Sequence, residues 1–286
     1  MKCHLFVYGT LRYLEKNHRF IKNEFCIAQQ AWVNGRLYQT SHDYPAMILG
    51  DERVYGELYE IDEALLFKIH ELEGCSGPES SDNLFDFVPV RVYTDVKEYD
   101  AFSYVMTPEK VENKQEIISG DWKEHHFGLK KSTGTLYFAY GSCMDAERFR
   151  KAAVDHHFID VVGCGKLENY SVKFTVTMED GGRADLVEDG GSAEGLLYRV
   201  PSEAVEYLYL REGVDSKLYR PAFVSVEVNG MIYEQCLTFT VIHKKDEYRP
   251  PDHYSAEILR GAEGRLGAEY IQKIREYMEG LPYYKP

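Results

Sequence analysis

The sequence predicts an α+β protein built from two tandem copies of one small domain. Its 286 residues correspond to about two domains of ordinary size. The 23 Tyr and 14 Phe residues favour strands, because aromatic side chains suit the half-buried face of a pleated sheet. A short set of motifs also occurs twice, in the same order. These observations indicate two curled or barrel-like mixed sheets, each accompanied by a few helices.

The repeat is defined by three motifs. An apolar strand followed by Tyr-Gly-hydroxyl ends at residues 8–10 and again at residues 140–142. A Gly-X-Leu-Tyr strand and a Glu-Gly pair follow in each copy. Gly56 lies 17 residues before Glu73, and Gly195 lies 17 residues before Glu212. A repeat of this length is far too long for a solenoid unit and therefore indicates two tandem domains.

The predicted domains are residues 1–110 and 135–286, joined by a linker over residues 111–134. The linker region is polar and rich in turn residues, with a short helix expected around residues 110–118. It shows no sustained alternation of apolar and polar residues.

Each copy is expected to alternate strands with helices. In the first copy, Leu65, Ile69 and Leu72 share one helical face, Asp62 is placed to begin that helix, and Gly74 to end it. The strands expected there are residues 3–8, 52–61, 85–92 and 101–105. The strands expected in the second copy are residues 135–140, 170–176, 193–200, 220–228 and 231–241. The helices expected there are residues 144–153, 202–210 (begun by Ser202), 254–261 and 268–278.

The charge and cysteine content exclude several classes of function. The formal net charge of −14 offers no positive surface for nucleic acid. No apolar run approaches the roughly 20 residues of a membrane span. The six cysteines form no CxxC pair and lie at no metal-ligand spacing. We therefore expect a cytoplasmic protein with free thiols, with no bound metal and no nucleic-acid or membrane partner.

The turn after each first strand is a candidate substrate-binding site. It comprises Tyr8, Gly9, Thr10 and Leu11 in the first copy, and Tyr140, Gly141, Ser142 and Cys143 in the second. Glycine permits a positive φ and a close approach of ligand, and successive N–H groups in such a turn bind anions. The alternative interpretation is a plain structural turn.

Glu73 and Glu212 are the candidate acid/base residues. Each lies at the carboxyl end of a predicted helix, where the helix dipole disfavours negative charge and raises the carboxyl pKa. If partly buried, such a group is suited to proton transfer near neutral pH. The alternative is a solvated surface glutamate. Cys143 is disfavoured as a shared nucleophile, because the first copy has Leu11 at that position.

These motifs resemble those of the γ-glutamylcyclotransferase-like superfamily. The first copy is similar to its γ-glutamylamine cyclotransferase and AIG2-like branch through residues 7–12, 44–46, 54–59 and 72–75. The second copy is similar to the γ-glutamylcyclotransferase branch proper through residues 138–142, 195–198, 211–214 and 218–220. The tandem arrangement is similar to that of two-domain members from bacilli. Cys143 stands where the second branch usually has Asn.

The resemblance implies a small β-barrel with flanking helices in each copy, and an enzyme without metal or cofactor. Its substrate would be a small γ-glutamyl compound, whose α-amine attacks its own γ-carbonyl to release 5-oxoproline and an amine. Glu73 and Glu212 would be the general acid/base residues, and the two turns would hold the substrate carboxylate.

Two other functions stay open at this point. One is a different γ-glutamyl acyl-transfer enzyme, for instance one that removes a γ-glutamyl protecting group. The other is a non-catalytic module that binds a small anion. The sequence also leaves open the identity of the leaving group, whether both copies share one substrate, and whether the chain dimerises.

Overall fold

A computed structural model describes residues 2–78, 80–129 and 134–285. The chain divides into two compact units, Met1–Lys130 (unit 1) and Lys131–Pro286 (unit 2). Each unit is a mixed α+β domain, as the sequence predicts.

Unit 1 is a ring of strands accompanied by short helices. The strands are β1 (Lys2–Val7), β2 (Phe25–Gln39), β3 (Pro45–Asp62), β4 (Asp86–Tyr93), β5 (Glu98–Val105) and β6 (Gln115–Glu116). The helices are α1 (Glu63–Glu73), α2 (Pro108–Val111) and α3 (Trp122–Leu129). The sheet order is β3-β1-β5-β4-β2-β6, and β3 also pairs with β2, which closes the ring. The pairing of β1 with β5 is parallel, at Leu5 and Phe102.

The segment predicted as a linker belongs structurally to unit 1 over residues 111–129. β6 pairs with the end of β2, and Trp122 and Ile117 join the apolar core of the ring. Residues 112–118 are therefore not helical, because Ile117 donates its backbone N–H to Leu37 and continues the sheet. Residues 130–133 lie outside the described residues.

Four buried charged side chains attach this segment to the ring: Arg12, Glu57, Asp121 and Lys123. Arg12 Nη1 lies 2.7 Å from Asp121 Oδ1, and Lys123 Nζ lies 2.7 Å from Glu57 Oε1. Burial disfavours charge on Glu57, but Lys123 and Arg12 outweigh it and lower the Glu57 pKa to about 2. The sequence offered no sign of this contact, since its members are up to 111 positions apart.

Unit 2 repeats the ring and adds a hairpin and a helical tail. Its strands are β7 (Thr135–Ala139), β8 (Val161–Glu168), β9 (Ser171–Met178), β10 (Gly181–Val187), β11 (Ser192–Val200), β12 (Tyr219–Val228) and β13 (Met231–Val241). Its helices are α4 (Ala146–Lys151), α5 (Ser202–Arg211), α6 (Asp252–Ala262) and α7 (Ala268–Gly280). The barrel closes in the order β11-β7-β13-β12-β8, while β9 and β10 form a separate sheet.

The two rings share one strand order. β3, β1, β5, β4 and β2 of unit 1 correspond in turn to β11, β7, β13, β12 and β8 of unit 2. The Gly-X-Leu-Tyr motif has the same role in both. A Cβ atom on Gly56 would lie 2.3 Å from the carbonyl oxygen of Val7, and one on Gly195 equally close to that of Ala139. Only glycine fits at this crossing of strands.

The structure corrects several predicted elements. β2 and β8 are absent from the sequence-based prediction, and β3 begins seven residues before the predicted strand. Pro201, not Ser202, occupies the N-cap of α5, because its φ of −74° and ψ of 171° keep it extended. Gly74 ends α1 as predicted, with a left-handed φ of 61°.

Candidate active site

A cavity of about 230 Å³ lies in unit 1 at the end of β1. Its lining includes the predicted residues Tyr8, Gly9, Thr10, Leu11 and Glu73. Tyr44, Pro45 and Tyr104 also line it, together with other apolar side chains. Glu73 is the charged side chain among the described lining residues of this cavity. The strand, turn and helix that carry the two predicted motifs therefore meet at one site.

The turn of unit 1 is held by hydrogen bonds from both of its ends. The Tyr8 hydroxyl donates to the carbonyl of Tyr104 (2.8 Å) and accepts from the N–H of Met47 (3.3 Å). The N–H of Arg12 donates to the Gly9 carbonyl at 3.0 Å, which closes the turn. Asn17 Nδ2 donates to Thr10 Oγ1 at 3.0 Å. These bonds fix the backbone of residues 8–11.

Limited space, and not a positive φ, favours the glycine of each turn. Gly9 and Gly141 are not among the left-handed residues of the chain, so that part of the prediction is wrong. A Cβ atom on Gly9 would lie 2.8 Å from Pro45 Cγ, and one on Gly141 would lie 3.2 Å from the Ala184 side chain. The close approach of the neighbouring strand therefore selects glycine here.

Glu73 is the last residue of α1 and is oriented toward the cavity of unit 1. Burial among the surrounding apolar groups raises its pKa to about 7. A carboxyl group with this pKa is present in both protonation states near neutral pH, which is the property a general acid/base needs.

Unit 2 has a corresponding cavity of about 190 Å³. Its lining includes all five predicted residues: Tyr140, Gly141, Ser142, Cys143 and Glu212. The Tyr140 hydroxyl donates to the carbonyl of Phe239 (2.7 Å). This bond matches that of Tyr8 with Tyr104, since Phe239 and Tyr104 hold the same position on their strands.

Glu212 lies beside a guanidinium group and a thiol. The Arg211 guanidinium lies 3.5 Å from Glu212 Oε1 and donates to Cys143 Sγ at 3.1 Å and to Ser142 Oγ at 3.2 Å. Cys143 Sγ also donates to Glu212 Oε1 at 3.5 Å. Burial raises the pKa of Glu212, while Arg211 and the thiol oppose that rise. Burial likewise raises the pKa of Cys143.

Sequence reasoning missed the cationic character of the cavity in unit 2. Arg148, Arg183 and Arg211 all line it. Arg148 pairs with Glu257 of α6, and Arg183 packs over the ring of Tyr254, with 5.0 Å to the centroid. Arg211 could have been noticed from its place beside Glu212. The other two come from segments whose proximity only the fold reveals.

Across residues 2–78, 80–129 and 134–285, no three His, Cys, Asp or Glu side chains are grouped so as to hold a metal ion. Within that same part of the chain, no helix has the length and hydropathy needed to cross a membrane.

Comparison with known proteins decides the family. The chain is 46% identical over 285 residues to "Putative gamma-glutamylcyclotransferase YkqA" of Bacillus subtilis (strain 168), covering 99% of each. This chain belongs to the γ-glutamyl cyclotransferase, AIG2-like family. The family model described as "Gamma-glutamyl cyclotransferase, AIG2-like" matches residues 5–124, and that of the "AIG2-like family" matches residues 192–274.

Further relatives agree with membership of the γ-glutamyl cyclotransferase, AIG2-like family. The crystal structure of Bacillus subtilis YkqA matches with a TM-score of 0.90 at 45% identity, covering 99% of this chain and 100% of that one. "Gamma-L-glutamyl-butirosin B gamma-glutamyl cyclotransferase" of Niallia circulans is 36% identical over 121 residues, which are 42% of this chain and 76% of that protein. The resemblance seen in the sequence is confirmed, as is homology to γ-glutamylcyclotransferases.

Proposed function

We propose that both units convert a γ-glutamyl amine or γ-glutamyl peptide into 5-oxoproline and a free amine. The α-amine of the substrate attacks its own γ-carbonyl carbon, a new C–N bond closes the lactam, and the bond to the leaving nitrogen breaks. Glu73 and Glu212 act as general acid/base residues. Each takes a proton from the α-ammonium and returns one to the leaving nitrogen. An intramolecular attack of this kind has a high effective molarity and needs no cofactor.

One observation carries this proposal. In each unit a glutamate at the end of a helix shares a cavity with the Tyr-Gly-hydroxyl turn, and burial raises the pKa of that glutamate. A solvated surface glutamate would show neither property. The backbone of residues 8–11 and 140–143 would hold the α-carboxylate of the substrate, and the adjacent carboxyl would then face its α-amine.

The lining of the two cavities supports different leaving groups. Unit 2 has three guanidinium groups at its cavity, whereas Tyr44, Phe85 and Tyr104 give the cavity of unit 1 an aromatic wall. A carboxylate on the leaving group would gain a charge-assisted contact in unit 2 alone. We therefore expect unit 2 to prefer γ-glutamyl amino acids and unit 1 to prefer γ-glutamyl amines, each by about tenfold in kcat/KM.

The deciding experiment measures 5-oxoproline and free glutamate released from a panel of γ-glutamyl amines, γ-glutamyl amino acids and glutathione. The variants are Glu73→Gln, Glu212→Gln and the double substitution. Each single substitution should reduce the activity of its own unit by about 10²–10⁴-fold, and the double variant should lose nearly all product. Exposed glutamates on the same two helices, changed as Glu71→Gln and Glu206→Gln, are the matched controls.

The alternatives predict other results. A deacylating enzyme would release glutamate in place of 5-oxoproline. A binding module would release neither product but would still be stabilised thermally by a γ-glutamyl ligand. Unchanged 5-oxoproline release from the double variant would refute the assigned role of the two glutamates.

A further inference from the structure

Tyr104 and His70 form a polar pair at the cavity of unit 1. Tyr104 lies on β5 and lines the cavity, and its hydroxyl lies 2.8 Å from Nδ1 of His70. His70 is on α1, one turn before Glu73, so the pair is adjacent to the proposed acid/base residue. Burial and the nearby carboxyl of Glu73 raise the pKa of Tyr104, which keeps its hydroxyl protonated.

The equivalent pair in unit 2 has the same ring geometry but different chemistry. The rings of His70 and Tyr104 meet edge to face, with centroids 5.7 Å apart and an angle of 77°. Those of Tyr209 and Phe239 are also 5.7 Å apart, at 85°. Phe239 carries no hydroxyl, so the packing of this position does not require the oxygen of Tyr104.

The surroundings fix how the Tyr104 oxygen can bond. Phe87 packs against both rings, with centroids 4.9 Å from His70 and 5.1 Å from Tyr104. Burial lowers the pKa of His70, which favours the neutral ring. In the neutral tautomer that carries its hydrogen on Nε2, Nδ1 accepts a hydrogen bond from the Tyr104 hydroxyl. A tyrosine has one hydroxyl hydrogen. When His70 accepts it, the oxygen presents only lone pairs to the cavity.

We propose that the Tyr104 oxygen accepts a hydrogen bond from the N–H of the scissile γ-amide in unit 1, and that His70 is the positioning residue that orients it. This inference rests on the function proposed above for unit 1. The carboxylate and the γ-carbonyl of the substrate are acceptors and cannot pair with a lone pair. The protons of the α-ammonium are assigned to Glu73. The amide N–H is the remaining donor, and secondary amides carry it whereas tertiary amides do not.

The test compares a γ-glutamyl N-methylamide with the N,N-dimethylamide, which has no amide hydrogen. Both are assayed in the Glu212→Gln background, where unit 1 alone keeps its carboxylate. Tyr104→Phe should lower kcat/KM about tenfold for the secondary amide and less than twofold for the tertiary amide. Equal losses for both substrates, or no loss for the secondary amide, would overturn the inference. The control is Tyr93→Phe, because Tyr93 is not among the residues that line the cavity.

Two substitutions at His70 test its positioning role. His70→Leu should lower kcat/KM for the secondary amide several-fold. The double variant with Tyr104→Phe should have the same kcat/KM as Tyr104→Phe alone. His70→Asn keeps an acceptor near the position of Nδ1 and should restore most of the rate. If the losses in kcat/KM from His70→Leu and Tyr104→Phe are fully additive, or if His70→Leu and His70→Asn cause equal losses, then His70 contributes only packing.

A binding measurement separates this inference from the proposed reaction. Glutaric acid mono-N-methylamide lacks the α-amine and cannot cyclise, so calorimetry reports its affinity alone. Tyr104→Phe should weaken its binding about tenfold while leaving the dimethylamide within twofold. If Tyr104→Phe selectively weakens binding of the N-methylamide but no substrate is turned over, the hydrogen bond is supported and the proposed cyclotransferase reaction is rejected. If substrates are turned over normally but Tyr104→Phe weakens binding of both amides equally or of neither, the hydrogen bond is rejected and the proposed reaction stands.

Discussion

The two units share a strand order but place their charged groups on opposite sides of the Tyr-Gly-hydroxyl turn. In unit 1, Arg12 follows the turn and bonds away from the cavity, to Glu57 and Asp121. Met144 holds the equivalent place in unit 2 and is buried. There, Arg211 approaches the turn from the cavity side and contacts Ser142 and Cys143.

This difference shows that one fold can support the same turn in two ways. Unit 1 has a buried ionic network under the turn, no Lys or Arg lines its cavity among the residues that the structure describes, and burial raises the pKa of Glu73. An arginine inside the cavity supports the turn of unit 2 and also partly offsets the effect of burial on Glu212. Support of the turn and the electrostatics of the carboxyl are therefore separate in unit 1 and linked in unit 2.

The largest expected effect comes from breaking the network of unit 1. Glu57→Gln removes the carboxylate that pairs with the buried Lys123 and leaves Arg12 paired with Asp121, and should destabilise unit 1 by about 3–5 kcal/mol at pH 7. Because the folded pKa of Glu57 lies at about 2, below its unfolded value, its stabilising effect is present above about pH 4.5 and is lost as the pH falls toward 2. Urea unfolding at several pH values measures both quantities.

The matched control for Glu57→Gln is Glu60→Gln on the same strand. Glu60 pairs with Lys2 at 2.6 Å on the surface, and such exposed pairs contribute about 0–1 kcal/mol. If both substitutions lower the free energy of unfolding by the same amount, the buried network does not stabilise unit 1 more than a surface ion pair does.

A smaller effect is expected from exchanging the residue before each proposed acid/base glutamate. Leu72 of unit 1 corresponds to Arg211 of unit 2. Arg211→Leu, in the Glu73→Gln background, removes the cation that opposes the rise in the Glu212 pKa. The midpoint of the acid limb of kcat/KM should therefore move up by about one pH unit.

The reciprocal substitution makes this comparison sharper. Leu72→Arg, in the Glu212→Gln background, should move the acid limb of unit 1 down from its expected position near pH 7. Shifts in the same direction in both units would mean that the neighbouring residue does not set the carboxyl pKa.

The smallest effect concerns the stability of unit 1. The folded pKa of Glu73 is about 7, above its unfolded value, so this group lowers stability as the pH rises from about 4.5 through 7. Glu73→Gln should stabilise unit 1 by about 1–2 kcal/mol at pH 8, a value reduced by solvent screening, with no gain below pH 4.5. A gain that is equal at pH 4.5 and pH 8 would contradict the raised pKa.

The sequence predicted the parts of the site that recur as motifs. The turns and both glutamates do line the cavities, because the strand, helix and Glu-Gly spacing is kept in each copy. The roles of these residues stay predictions. The partners Arg148 and Tyr104 were not predicted, since their proximity depends on how distant strands and helices close the ring. The sequence did not predict β2, because its bulges at residues 26–34 interrupt the alternation of apolar and polar residues.

The buried contacts of residues 111–129 have a consequence for moving the first copy into another protein. A fragment ending at residue 110 keeps every repeated motif but loses Asp121, Lys123 and the buried Trp122. It would leave Arg12, next to the Tyr-Gly-hydroxyl turn, without its Asp121 partner. The smallest transplantable piece therefore extends at least to Lys123, so the module that can be engineered is longer than the repeat seen in the sequence.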